Sequence, residues 1–161
     1  MRKAVAFTGP SNSGKTTIIE KIAKILVPNF QVAIVKNDPK DKAQFDIEGK
    51  DSYKFFQTGA EVVVTSPTRT TYFSHRKREI DDIIAMVKDF DYLLVEGLKY
   101  LPLPRIGVFR NSFDESYLPY IQAVAIDESI DKSTIPQNIE ILDLNDPHMI
   151  IAWIDKNAQK V

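Results

Sequence analysis

Apolar residues along this chain come in two kinds of run. Ala4-Val5-Ala6-Phe7 is continuously apolar and breaks at Gly9-Pro10-Ser11-Asn12, which predicts a buried strand running into a turn. From Gly14 to Leu26 the pattern changes period. Ile18, Ile22, Ile25 and Leu26 recur at helical spacing, with Glu20 and Lys24 four apart on another face, as in an amphipathic helix. Pro28 stops it. Val32-Ala33-Ile34-Val35, within 31–36, predicts a second strand. Strand, helix and strand in succession make a βαβ unit, which favours a parallel sheet.

The polar stretch 37–44, with Pro39 and mixed charges, predicts a loop. It exceeds the usual ~4–6 residues, which marks it as functional or mobile. A helix is predicted over 50–58, with Tyr53 and Phe56 inward and Gly59 ending it, then strands over 61–65 and 70–73. Ile80, Ile83, Ile84 and Val87 predict a helix over 78–89. Strands follow at 92–95, 106–109, 123–126 and 139–142, with a proline-rich turn at 101–104. Asn145 or Asp146 is expected to cap a terminal helix with Pro147 in its first turn and Ile150, Ile151 and Ile154 facing in. These elements predict a three-layer α/β fold. A mostly parallel twisted sheet carries helices on both faces, in a single domain over 1–161 with no repeat or dividing linker.

Composition narrows the chemistry. The 21 Lys and Arg against 22 Asp and Glu leave a net charge of -1, which argues against nucleic-acid binding. With no cysteine, disulfides, thiol catalysis and cysteine-ligated metal are excluded. Two histidines, His75 and His148, do not make a histidine-rich metal site. No apolar stretch approaches the ~18 residues of a membrane span. The start does not read as a signal peptide, so the expectation is a cytoplasmic protein without membrane contact.

Gly9-Pro10-Ser11-Asn12-Ser13-Gly14-Lys15-Thr16 fits G-x-x-x-x-G-K-[ST] between the first strand and the first helix. Phosphate needs converging donors. The glycines permit the backbone angles that turn successive N–H groups inward, and the helix start adds the positive end of its dipole. Gly9, Ser11, Asn12, Ser13, Gly14, Lys15, Thr16 and Thr17 are therefore nucleotide-binding candidates. Lys15 would reach the β and γ phosphates, and the Thr16 hydroxyl would ligate Mg²⁺. The fold expected around this motif is that of P-loop NTPases.

A Mg²⁺-nucleotide site also needs an acid at the end of a neighbouring strand. Glu96 ends Tyr92-Leu93-Leu94-Val95 at the carboxyl side, where ligands gather in open α/β sheets. It is preferred to Asp91, at the other end, as the metal-side and catalytic carboxylate. Gly97 beside it would let backbone approach phosphate. Asp38, after the second strand, is a second candidate for metal or for orienting water, against a plain surface-loop role. In Gly49-Lys50-Asp51-Ser52, helix capping competes with a second anion site that would use Lys50. Arg110 and Lys99 are candidate phosphate contacts, competing with surface ion pairing. Ser66-Pro67-Thr68-Arg69 could face the same edge. Asp127 could accept from a guanine edge. The run His75-Arg76-Lys77-Arg78 reads as a solvated loop, with an external acidic partner as the alternative.

In sequence, the ordered segments GPSNSGKTTIIEKI, VAIVKND, FDIEGKDSYKFFQTGAEVVVTSP, DYLLVEGLK, PRIGVFR and AVAIDES resemble the molybdopterin-guanine dinucleotide biosynthesis adaptor family, MobB, over nearly the whole chain. The phosphate loop is shared by many families. The GKDS stretch with its following TGA, and LVEGLK with its downstream arginine, are far more selective. The resemblance implies GTP and Mg²⁺ binding, slow GTP hydrolysis and a homodimer. It also implies assistance to the guanylyltransferase MobA, which joins GMP to molybdopterin, with molybdopterin itself a further ligand. The chain departs from the family after Lys36, where Asn37-Asp38-Pro39-Lys40-Asp41 lacks the family's histidines. Nothing assigned to those histidines carries over. The alternatives are an ATP-using small-molecule kinase with an arginine lid from Arg69, Arg76 and Arg78, a metal-delivery GTPase, disfavoured by the absent thiols, and a binding module without turnover.

Overall fold

The computed structural model describes residues 2–161. In chain order the strands are β1 (Lys3–Thr8), β2 (Val32–Lys36), β3 (Val62–Thr65), β4 (Thr70–Phe73), β5 (Tyr92–Glu96), β6 (Arg105–Phe109), β7 (Ala123–Ile126), β8 (Glu140–Asp143) and β9 (Gln159–Lys160). The helices are α1 (Lys15–Leu26), α2 (Asp51–Gln57), α3 (Ile80–Met86) and α4 (Pro147–Asn157). They form two compact units. One joins the segment ending at Asn37 to Asp89–Val161; the other is Asp38–Lys88, inserted between them.

The first unit is built on a seven-stranded sheet in the order β2-β5-β1-β6-β7-β8, with β9 added to β1. Every pairing is parallel except the short β1–β9 pair. Phe7, Glu96 and Lys36 share one register level, so the carboxyl ends of β1, β5 and β2 come flush. β6 is set forward: its first residue, Arg105, pairs with Ala6. Its last residues thus stand beside the loop that leaves β1.

One sheet face packs on α1 and α4 through Val5, Phe7, Leu94, Ile106 and Val108. Ile18 and Ile22 of α1, and Ile150 and Ile154 of α4, are sealed into that core. Each such side chain stabilises by about 1.5–3 kcal/mol relative to exposure, which holds α1 where its N-terminus meets the loop. On the opposite face Phe109, Val124 and Ile126 pack with Ile121, Ile130, Ile135 and Ile139. Short 3₁₀ turns at Glu115–Tyr120 and Lys132–Thr134 carry the chain across this face. The predicted three-layer α/β fold is thus present, its second face covered by 3₁₀ turns. Asp146 is the cap of α4, accepting from the amides of His148 (3.0 Å) and Met149 (3.1 Å). Ile151 is only partly buried, and Trp153 is the buried residue beside Ile150 and Ile154.

In the second unit β3 and β4 form an antiparallel hairpin from Val62↔Phe73 to Thr65↔Thr70. Ser66–Arg69 is its turn, closed by Ser66 N–H donating to the Arg69 carbonyl at 2.9 Å. The basic run after the hairpin is paired within the unit, not left for an outside acid. Arg76 (3.2 Å) and Arg78 (3.6 Å) both meet Glu61, which also accepts from Tyr72 and Ser74. His75 stacks on Phe56 at 3.7 Å between ring centres. The helix expected over 78–89 is cut to Ile80–Met86 and buries none of its residues fully. Arg78 is held by Tyr72 and Glu61 outside it, and Val87 leaves helical geometry.

Candidate functional site

The site begins with backbone geometry. Gly9 has φ +144°, and a Cβ there would lie 2.2 Å from the Val108 carbonyl oxygen. A side chain at this position is incompatible with the forward-set β6. Gly14, at φ +100°, occupies the cap of α1, and Asn12 is also left-handed at φ 61°. These turns wrap the loop in front of α1. No side chain caps that helix and no acid sits in its first turn, so its amides and dipole are left for an external anion. The Ser13 hydroxyl is buried without a hydrogen-bond partner among the described residues. The Lys15 ammonium curls over the loop, donating to the carbonyls of Gly9 (3.0 Å) and Pro10 (2.6 Å). Burial lowers its pKa from the usual lysine value, and Glu96 acts in the opposite sense. An orphan hydroxyl, uncapped amides and a desolvated ammonium fit a polyphosphate. Ser11, Asn12, Thr16 and Thr17 are exposed on the same loop and first turn.

Thr16 and Glu96 line one cavity beside α1 and β2. Glu96 accepts from the Lys36 ammonium at 2.9 Å, a pairing made by the shared register of β2 and β5. Sequence reasoning missed Lys36, because its meeting with Glu96 depends on which strands are neighbours. One hydroxyl and one carboxylate suit Mg²⁺, which takes few protein ligands and completes its shell with phosphate oxygens and water. Among the described residues no cluster of three or more His, Asp or Glu forms a cation cage. Gly97 has φ +87°, and a Cβ there would come 3.1 Å from Cβ of Asn37. The glycine thus lets the ends of β2 and β5 pack closely.

Arg110 reaches the phosphate loop from β6. A Cβ on Gly14 would stand 3.5 Å from its guanidinium carbon. Asp127 anchors it, with Oδ2 3.1 Å from Arg110 Nε. The other carboxylate oxygen accepts from the amide and hydroxyl of Ser129, whose Oγ in turn accepts from the Asn111 amide at 2.7 Å. The Asp127 pKa is lowered, first by the Ser129 hydroxyl and further by Arg110. Asp127 therefore positions an arginine.

Asp38 and Lys50 belong to the second unit. Asp38 Oδ2 accepts from the amides of Lys42 and Ala43, both at 2.7 Å, and organises its own loop. Lys50 is the extended cap residue of α2. Lys99 does not face the phosphate loop. Its ammonium lies over the rings of Tyr100 (5.3 Å) and Tyr120 (5.4 Å). Sequence reasoning also missed Arg105, which is completely buried and donates to three carbonyls of the segment after Glu96. An arginine opening an apolar strand carries no signal of this.

The family model described as "Molybdopterin guanine dinucleotide synthesis protein B" matches residues 4–127. The chain belongs to the MobB family. It is 31% identical over 156 residues to the molybdopterin-guanine dinucleotide biosynthesis adapter protein of Haemophilus influenzae, covering 86% of each chain. It is 28% identical to the Escherichia coli protein of the same name, covering 94% of this chain and 93% of that one. A 115-residue match at 28% identity spans about half, 48%, of a longer relative from Methanocaldococcus jannaschii. Among solved structures, Bacillus subtilis MobB superposes with a TM-score of 0.78 at 23% identity over 98% of this chain and 99% of that chain, a likeness of fold. No helix among the described residues is long and apolar enough to cross a membrane.

Proposed function

We propose that this chain binds GTP with Mg²⁺, hydrolyses it slowly, and serves as an adapter to a MobA-type guanylyltransferase in forming molybdopterin guanine dinucleotide. The observation that carries the nucleotide part is the phosphate loop itself: left-handed glycines, an uncapped helix start, and Lys15 and Arg110 beside it. Mg²⁺ when bound would neutralise phosphate charge. Thr16 and Glu96 would hold it, and Lys36 would yield its place on Glu96. Lys15 and Arg110 would grip phosphate oxygens, the latter in a bidentate manner. Slow turnover is the natural output of a site whose sequence offers no evident water-positioning glutamine. An arginine from a second copy in a homodimer, or from the partner, would complete the charge complement. Guanine preference, the dimer, molybdopterin as a ligand and the MobA-type partner rest on family membership. The kinase alternative loses support because Arg76 and Arg78, two of its lid arginines, are paired to Glu61.

The test is calorimetric titration with GTP and with ATP, each with Mg²⁺, on the natural chain and on Lys15→Ala. GTP bound well above ATP, and lost in the variant, is the expected result. Preference for ATP would overturn the guanine assignment and return the kinase to first place.

A further inference from the structure

A second concavity, of about 700 Å³, lies in the first unit away from the phosphate loop. Its place follows from register. Gln159, on its wall, pairs with Ala4, and the Pro104 carbonyl accepts from the amide of Ala6. Gly9 is five positions beyond Ala4 and three beyond Ala6, about 10–16 Å along a strand at ~3.3 Å per residue. The cavity thus lies toward the amino ends of β6 and β7, and the phosphate loop at the carboxyl end of β1.

Its walls have an uncommon chemistry. Tyr100 and Tyr120 meet edge to face at 5.8 Å and 87°, and Tyr100 is 78% exposed. The Lys99 ammonium sits over both rings. Pro102, Pro104 and Pro119 add further lining and stiffen the segments that bear the tyrosines. Amide side chains supply the polar part. Gln122 uses its carbonyl oxygen on the Arg105 amide (2.7 Å). Asn157 uses its amide nitrogen on the Trp153 carbonyl (2.9 Å). One is thus left with a donating end and the other with an accepting end. The only tryptophan of the chain, Trp153, also borders the cavity, its indole N–H fixed on Glu140 at 3.0 Å.

Flat aromatic and proline walls, amides offering both donor and acceptor, and one ammonium at the mouth are the elements of a site for a planar heterocycle with an anionic tail. The volume lies within the ~300–1,000 Å³ of small-molecule pockets. We propose that this cavity binds such a ligand, a phosphorylated pterin: the ring between Tyr100 and the proline walls, its amide-like edge on Gln122 and Asn157, and the phosphate on Lys99. The choice of a pterin among planar anionic heterocycles rests on the adapter reading above; the cavity and its chemistry do not.

Trp153 makes the test local. The full chain is titrated with 6-hydroxymethylpterin monophosphate, with unphosphorylated 6-hydroxymethylpterin, and with GMP, following quenching of the single tryptophan. The phosphorylated pterin should quench to saturation, and GMP at least tenfold less effectively. Lys99→Ala, at an exposed residue, should weaken the phosphorylated probe about tenfold and the unphosphorylated one less than about twofold. Tyr100→Ala should weaken both. Lys15→Ala, which abolishes GTP binding in the preceding proposal, should leave the pterin titration unchanged. Absence of saturable quenching, or quenching indifferent to both Lys99→Ala and Tyr100→Ala, overturns the site even if GTP binding stands. Equal quenching by GMP overturns the pterin assignment and makes this a purine site.

Discussion

Arg105 offers the sharpest test of how the structure holds the segment that follows Glu96. Its side chain is fully buried. The guanidinium donates to the carbonyls of Gly97 (2.8 Å), Leu98 (2.9 Å) and Leu101 (3.1 Å). The Nε–H has no partner among the described residues, and burial lowers the pKa below the usual arginine value. The segment it clamps is strained: Leu98 has φ 49° and Gly97 φ 87°. Hydrogen bonds to a charged group contribute ~1.5–3 kcal/mol each, about 4.5–9 for three. Desolvating the guanidinium takes back several kcal/mol. Arg105→Met keeps the stem and removes both terms, so the expected net loss is about 2–4 kcal/mol. At ~2–4 °C per kcal/mol for a chain of this size, thermal unfolding should shift down by about 4–16 °C. Hydrogen exchange supplies a local readout. The Gly97 amide, bonded to the Phe7 carbonyl at 2.9 Å, and the Leu101 amide, bonded to the Leu98 carbonyl at 3.0 Å, should exchange faster. A Tm within 2 °C of the natural chain with unchanged protection at both amides would refute the clamp.

Gly9→Ala should cost about 2–4 kcal/mol in denaturant unfolding, because its Cβ would meet the Val108 carbonyl at 2.2 Å; an unchanged midpoint would show that β6 can yield. Lys36→Met removes a competitor for Glu96 worth ~0.2–1 kcal/mol, the salt bridge being mostly solvent-exposed on the lysine side. Mg²⁺–GTP affinity by calorimetry should rise up to about fivefold, and a fall would mean that Lys36 itself binds phosphate. Asp127 contributes a pH dependence of its own. Folding holds its pKa below the unfolded value of ~3.9, so its stabilisation is full above that value and is lost as pH falls through the folded pKa. The Tm gap between the natural chain and Asp127→Asn should be widest near neutrality and close below pH ~4. A gap constant across that range would deny Asp127 its charge role.

Much of this architecture was legible in the order of residues, because local rules govern it. Continuous apolar runs placed β1, β5, β6 and β7 to within a residue or two, because these strands are buried on both faces, and placed the edge strand β2 as closely although none of its residues is fully buried. The glycines of the phosphate loop point to positive-φ backbone, and Gly9 and Gly14 adopt it. The pairing of Lys36 with Glu96, the anchoring of Arg110 by Asp127, and the cavity that gathers Lys99, Tyr120 and Gln159 were not legible. Each joins residues of distant segments, and which segments meet depends on strand order and register. Lys99 illustrates the difference. Its place three positions after Glu96 predicts the same edge, yet the chain folds back toward β6 and delivers it elsewhere. Arg105 is the extreme case: a strand composition that reads as apolar conceals a buried cation whose partners are backbone carbonyls, and carbonyls leave no mark in a sequence. The sequence by itself thus determined most of the strands, the phosphate loop and the family. The tertiary structure alone decided which charges face one another, because side-chain electrostatics act across space and not along the chain.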